Sequence, residues 1–288
     1  MLLTRQLWRL DDTLSMRHAV LRHERLVIAH SRTRGMGTME LGGGQSPRGR
    51  GWVWVVLEGE AYVEHQTNAH IVRRGETLVG TDATSRLVAT SADVRLLQFV
   101  FEDGSETSLA RSTRLDAATI ARLVRCADAV DADGQLGPAR QCAIEDAVDA
   151  LGVRGLDVPL VRACAEVAPP PAVARLSEVV TALAATLSTH PGIDDLARAL
   201  GLDERRASEL AGAYFARYHP GFDGWRSYLA TLRAELAWSL LPTGRRSSSD
   251  LARWLGYRTP TSMYHALERR GLSARARPLI EKPTRGAR

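Results

Sequence analysis

The sequence predicts an α+β chain in two halves, a β-barrel or jelly roll with helices after it and then an all-α region. Three observations carry that expectation. Between Leu26 and Phe101 apolar residues alternate or form short runs bounded by Gly-rich and Pro-containing turns, the pattern of many short strands. After Ser112 the apolar period lengthens to that of helices, with matching faces three and four residues apart. The run Ala168-Pro169-Pro170-Pro171 then blocks helix and central strand alike, and marks a stiff, extended boundary before the last helices.

The elements follow in order. Strands are expected at Leu26–His30, Trp52–Leu57, Ala61–Val63, Leu87–Ala89 and Val94–Phe101, and the Gly-rich segment from Gly42 to Gly51 reads as an exposed loop. Asp116 is placed to cap a helix carrying Ile120, Leu123, Val124 and Ala127 on one face, and further helices are expected at about 138–150 and 156–167. Beyond the Pro run every segment to about Arg277 is helical and joined by short turns. The resulting layout is 1–105 for a β sensing domain, 106–168 for a helical region, 169–175 for the linker and 176–288 for the all-α domain.

With 288 residues, 44% hydrophobic and 25% charged, the composition is that of a globular protein and excludes wholesale disorder. No apolar run is long enough to span a membrane, and Met1-Leu2-Leu3-Thr4-Arg5 lacks the features of a secretory leader, so a cytoplasmic protein with no membrane partner is expected. Cys126, Cys142 and Cys164 lack paired close spacing; they read as buried small residues, with a redox or soft-metal sensor as the alternative. Charge is uneven along the chain. Residues 245–288 hold 11 basic groups against 3 acids, and Lys282 is the only lysine. Guanidinium forks suit bidentate phosphate and guanine contacts, although a lysine-poor composition explains the same count.

Two Gly-acid turns, Leu57-Glu58-Gly59-Glu60-Ala61 and Arg74-Gly75-Glu76-Thr77-Leu78-Val79, join strands about fifteen residues apart. This spacing resembles the cupin barrel over roughly residues 20–102. A metal-dependent cupin enzyme needs two imidazoles two residues apart, a carboxylate and a later histidine. Here the corresponding strand reads Trp52-Val53-Trp54, and no His-x-His occurs anywhere, with His65 and His70 across a turn. Neither metal nor cofactor is expected. Trp52 and Trp54 share one side of their strand, with Val53 and Val55 on the other. Together with Tyr62 they form a candidate effector pocket, or they fill the space between two sheets.

Two segments of the all-α region have helix-turn-helix form. In the sharper one Leu251, Ala252 and Leu255 face inward, Gly256 makes the turn, Tyr257 plugs the core, and a helix from Pro260 exposes Thr261, Tyr264, His265 and Glu268 or Arg269. Arg233, Ala237, Leu240 and Leu241 precede these residues, and Gly271 follows, at nearly the spacing of the AraC/XylS signature. The earlier unit, Ile193 to Ala207, fits the same repeat with Asp203 as N-cap. Val173 to Arg277 is therefore identified as resembling an AraC/XylS-type DNA-binding domain, a third of the chain. Ala211 departs from that pattern, standing where an aromatic is usual, with Tyr214-Phe215 a turn later, and Glu209 and His265 stand where arginines are common.

The resemblance implies a ligand-responsive transcription regulator rather than an enzyme. Its partners are double-stranded DNA, a small-molecule effector, a second copy of the chain through the 113–167 helices, and RNA polymerase. It places Arg205 and Ser208 of the first unit, and Thr261 and His265 of the second, at base edges. Arg245, Arg246 and Arg269 reach phosphates, and Arg206, Glu209, Thr259, Pro260 and Tyr264 complete the surface. The alternative is a cupin isomerase or oxygenase carrying a helical DNA-binding module.

Overall fold

The computed structural model describes residues 1–9, 15–34, 39–40, 50–65, 68–80, 86–89, 93–102, 111–132, 136–219, 222–241, 244, 246–270 and 272. Residues 42–49 of the expected Gly-rich loop, Arg245, Gly271 and the basic tail from 273 lie outside them, as do the side chains of Tyr62, His65 and His70. Among the described residues eleven strands precede the helices: β1 (Leu2–Arg9), β2 (Ser15–Arg22), β3 (Leu26–Arg34), β4 (Met39–Glu40), β5 (Arg50–Glu58), β6 (Glu60–His65), β7 (Asn68–Arg73), β8 (Glu76–Gly80), β9 (Arg86–Ala89), β10 (Val94–Glu102) and β11 (Arg111–Arg114). All the expected strands are present. Arg50 and Gly51, assigned to the loop, instead begin β5.

The strands form two antiparallel sheets among the described residues, a seven-stranded one in the order β1-β2-β3-β10-β5-β8-β11 and a four-stranded one in the order β4-β9-β6-β7. The expected barrel does not close. One reason is on the outer face of the large sheet, where helices rather than more strands complete the burial. Val53, Val55 and Leu57 of β5 and Leu97, Phe99 and Phe101 of β10 pack there with Leu123, Ala127, Ile144, Val148 and Val161 of the helices that follow. On the opposite face Trp52, Trp54, Val56 and Leu96 pack with Ala61 and Val72 of the small sheet. Burial on both faces explains why Trp52–Leu57 reads as an unbroken apolar run rather than an alternation.

The turns follow from glycine. Gly59 and Gly75, both at φ 78°, occupy the left-handed region between β5 and β6 and between β7 and β8, where a side chain is disfavoured. Helices α1 (Ala117–Asp131), α2 (Pro138–Leu151) and α3 (Val158–Glu166) then cover the large sheet. The Asp116 side chain accepts from the Thr119 N–H at 2.8 Å, the expected cap. Leu123, on the helix face that the sequence leaves apolar, is fully buried in this core, and Val124 packs partly against it. That apolar face is thus covered by the chain's own sheet.

After the extended residues 167–170, Pro171 opens α4 (Pro171–Ala184) as its first residue, where a missing N–H costs nothing. A 3-10 turn at Leu187–Thr189 leads to α5 (Ile193–Leu200), α6 (Glu204–Tyr218), α7 (Trp225–Leu240), α8 (Ser248–Trp254) and α9 (Pro260–Glu268). Leu176 and Val180 of α4 belong to the same apolar cluster as Leu2 and Met16 of the first two strands. The helical and β parts therefore share a core.

Candidate nucleic-acid surface and effector pocket

The α8–α9 pair is built around small buried residues and one obligatory glycine. Leu251, Ala252 and Leu255 are buried, as are Met263, Ala266 and Leu267 of α9. Gly256 has φ 80°, and a Cβ there would sit 2.8 Å from the Leu187 carbonyl oxygen and 3.3 Å from the Arg233 guanidinium carbon. Both conformation and space demand glycine. The Thr259 hydroxyl accepts from the Ser262 N–H at 3.1 Å, and the Ser262 hydroxyl receives the Thr259 N–H at 3.2 Å, a reciprocal cap that fixes the start of α9.

This arrangement turns Thr261, Tyr264, His265, Glu268 and Arg269 to solvent, with Pro260 half-buried. The Tyr264 hydroxyl lies 2.9 Å from that of Ser248 on α8, His265 Nδ1 lies 3.4 Å from Glu268, and Arg269 donates to the His265 carbonyl at 3.3 Å. The Arg246 guanidinium sits 5.8 Å from the Trp254 ring centroid, a cation–π distance. The α9 face is polar and shallow.

The α5–α6 pair repeats the design with a longer second helix. Gly201, at φ 68°, ends α5, and the Asp203 side chain accepts from the Arg206 N–H at 2.8 Å to start α6. Arg205, Arg206, Ser208 and Glu209 are exposed. Arg205 pairs with Glu209 at 2.9 Å and Arg206 with Asp203 at 3.5 Å. Ala211 is buried without filling space. Tyr214 and Phe215 instead anchor an aromatic cluster with Tyr218, His219, Phe222 and Tyr228, so the aromatic plug lies one helical turn after Ala211.

A seam with no local signal in the sequence joins α6 to the β2–β3 hairpin. Arg22 donates to the Tyr218 carbonyl at 3.4 Å, and Glu24 pairs with Arg217 at 3.3 Å. A cation at a helix C-terminus is favourably placed. Beneath it the Tyr214 hydroxyl lies 2.9 Å from His219 Nε2 and donates to Ser177 at 3.4 Å, and His18 Nδ1 lies 2.7 Å from the Ser31 hydroxyl. Burial, with Arg22 and His30 nearby, pushes the His18 imidazole down to about 3. Burial first, then Arg22 and His18, holds His219 well below its ordinary range. Both rings are neutral at physiological pH. The partners lie 196 residues apart, beyond any local pattern.

Between the two sheets Trp52 and Trp54 stack with centroids 4.2 Å apart and planes at 23°, each only 2% exposed. Gly80, paired across the ladder from Trp52, makes room for that ring. Trp54 Nε1–H finds no acceptor among the described residues, and an unpaired buried donor is costly. Tyr62 lies on β6, opposite Val88 and Ile71. Among the described residues no group of three or more His, Cys, Asp or Glu is placed to hold a metal. Cys126 and Cys164 are buried and Cys142 is exposed, all three as free thiols, and burial pushes the Cys126 thiol up.

No protein-family model matches the chain, and no curated protein matches it in sequence. Among solved structures it is similar to transcription regulators and to other bacterial proteins. ToxT from Vibrio cholerae O395 aligns with a TM-score of 0.36 and 8% identity over 85% of this chain and 93% of that one. An HTH_3-family regulator, also from Vibrio cholerae, gives 0.25 and 14% over 29% and 50%. A glyoxylate-induced protein from Pseudomonas aeruginosa gives 0.29 and 16% over 36% and 45%. The chain thus spans about half the length of the latter two. No helix among the described residues is long and apolar enough to cross a membrane.

Proposed function

We propose that the chain is a one-component, cytoplasmic transcription regulator in which α5–α6 and α8–α9 act as two helix-turn-helix units on double-stranded DNA. The observation that carries this reading is the α9 face. A helix fixed at its start by a reciprocal Thr259–Ser262 cap turns Thr261, Tyr264, His265 and Arg269 outward over a tightly packed Gly256 turn, which is the form a major-groove reader needs. Thr261 and His265, with Arg205 and Ser208, are assigned to base edges. Arg245, Arg246 and Arg269 are assigned to phosphates, with Arg206, Glu209, Thr259, Pro260 and Tyr264 around them. Residues 1–105 serve as sensor, 106–168 as a helical region supporting a second copy through surface other than the Leu123 face that the sheet covers, 169–175 as linker, with its residues 171–175 forming the start of α4, and 176–288 as DNA-binding domain. RNA polymerase is the further partner. Selection of bound fragments from random duplex DNA, at stated salt, tests the reading: a shared sequence is expected, and a pool that stays random contradicts it.

The sensor reading rests on the Trp54 N–H, which points to an acceptor that the described residues do not provide. A small, largely apolar effector with one hydrogen-bond acceptor, stacked on Trp52 and Trp54, suits that donor, and Tyr62 of β6 is the third residue assigned to it. Trp54→Phe keeps an aromatic ring and removes the donor. It is expected to stay folded and bind DNA while losing the effector's shift of DNA affinity, read by titration with a small-molecule library. A folded Trp54→Phe that still responds assigns the rings to the core alone. The cupin isomerase or oxygenase alternative lacks a His-x-His pair in the sequence.

A further inference from the structure

A groove of about 620 Å³ runs between α6 and the first turn of α7. Arg205 and Ser208 form one wall, Arg226 and Ser227 the other, and Gly212 lies along it. Arg205, Ser208 and Gly212 are spaced three and four residues apart on α6, so they share one face. Gly212 is the odd member. It sits in the interior of a fifteen-residue helix, where glycine is a poor choice, and it does not have the positive φ that would excuse it. Nor does packing require it, because a Cβ there would meet nothing within 4 Å. The protein's own fold gives no reason for the missing side chain.

We infer that the groove seats one sugar-phosphate strand of the duplex, with Gly212 leaving clearance for the strand and Arg226 and Ser227 contacting a phosphate. The inference rests on the proposed DNA reading and extends it to residues outside both helix-turn-helix units. Continuity favours a DNA strand as occupant: the same face of α6 that carries Arg205 and Ser208 opens directly into the groove. A helix lying in a major groove has a phosphate strand on each flank, and α7 begins on one flank of α6. Arg205 is engaged by Glu209, whereas Arg226 is exposed and makes no ion pair among the described residues. Glu204 and Asp223 also line the groove, so its charge is balanced. A free anion gains little there, and a phosphate is admitted once α6 is docked. Such a contact sets position rather than sequence.

Full-length wild type, Gly212→Leu and Arg226→Ala are to be titrated by anisotropy against a labelled duplex recovered from the random pool, at several salt concentrations, with thermal unfolding in parallel. Leucine is a better helix former than glycine, so Gly212→Leu should melt at or above the wild-type temperature while binding DNA at least about tenfold more weakly. Arg226→Ala should keep the preferred sequence and lower the salt slope by about one. A stable Gly212→Leu with wild-type affinity, or an Arg226→Ala with unchanged slope, overturns the groove assignment alone. A wild type that selects no sequence overturns the DNA reading itself.

Discussion

The two helix pairs share a plan and differ in what holds them. In the first, α6 runs for 15 residues, pairs Arg205 with Glu209 along its own surface, and is gripped at its C-terminal end by Arg22 and Glu24 of the β2–β3 hairpin. In the second, α9 has 9 residues and is held by neighbouring helices, through Tyr264 to Ser248 of α8 and through Arg270 to Thr231 of α7. The same motif is thus tied to the sheet in one copy and to helices in the other. A change in the β part has a direct mechanical route to the first pair, whereas the second pair is tied to it only through other helices.

The largest expected effect lies under the first pair. His18 and His219 both titrate below 6.5 in the folded chain, so the unfolded chain binds protons first as pH falls. His18 contributes fully above about pH 6.5 and its contribution is lost toward pH 3, at about 1.4 kcal/mol per pH unit, and His219 acts in the same direction. Urea unfolding should therefore give a stability lower at pH 5 than at pH 7 by about 2 kcal/mol from His18 alone, with His219 adding to the loss. The difference should shrink in His18→Gln, and an unchanged difference would detach that ring from the seam.

The turns give the next contrast. Gly256→Ala combines a left-handed φ with contacts at 2.8 Å and 3.1 Å, and should cost about 3 kcal/mol or more. Gly201→Ala meets nothing within 4 Å and should cost about 1–2 kcal/mol. Equal losses in denaturant titration would mean that the second turn is not packed as described. Next, His265→Ala should relax preference at one or two base pairs, worth about 1–3 kcal/mol, whereas Arg246→Ala should weaken all sequences and flatten the salt slope by about one. A changed consensus in Arg246→Ala would reverse those roles. The smallest effect belongs to Glu24–Arg217, about half exposed on both sides. Glu24→Gln should change stability by less than about 1 kcal/mol, and a double-mutant cycle with Arg217→Ala measures the coupling.

Much of the molecule was legible because its signals are local. Asp116 and Asp203 cap the helices they were expected to cap, and the apolar runs at Trp52–Leu57 and Val94–Phe101 are strands. β1 and β2 were missed because Arg5, Arg9, Arg17 and Arg22 break their apolar pattern at the edge of the sheet. The closed barrel is expected from the many short strands and the spacing of the two Gly-acid turns, and neither signal shows that helices cover one face of the large sheet. The seam was invisible for the same reason: Arg22 and Tyr218 are joined only by the fold. Of the candidate surface, which residues of α9 face outward follows from helical period, whereas the pairing of Arg205 with Glu209 engages one of the two exposed arginines at the start of α6 in a way that sequence alone does not show.

The most direct test of two units on one duplex is a hydroxyl-radical footprint of the wild-type protein on a selected fragment. Two protected stretches on one face are expected, about 34 Å or one helical turn apart, with asymmetric half-sites. Protection of a single groove per chain would contradict that expectation.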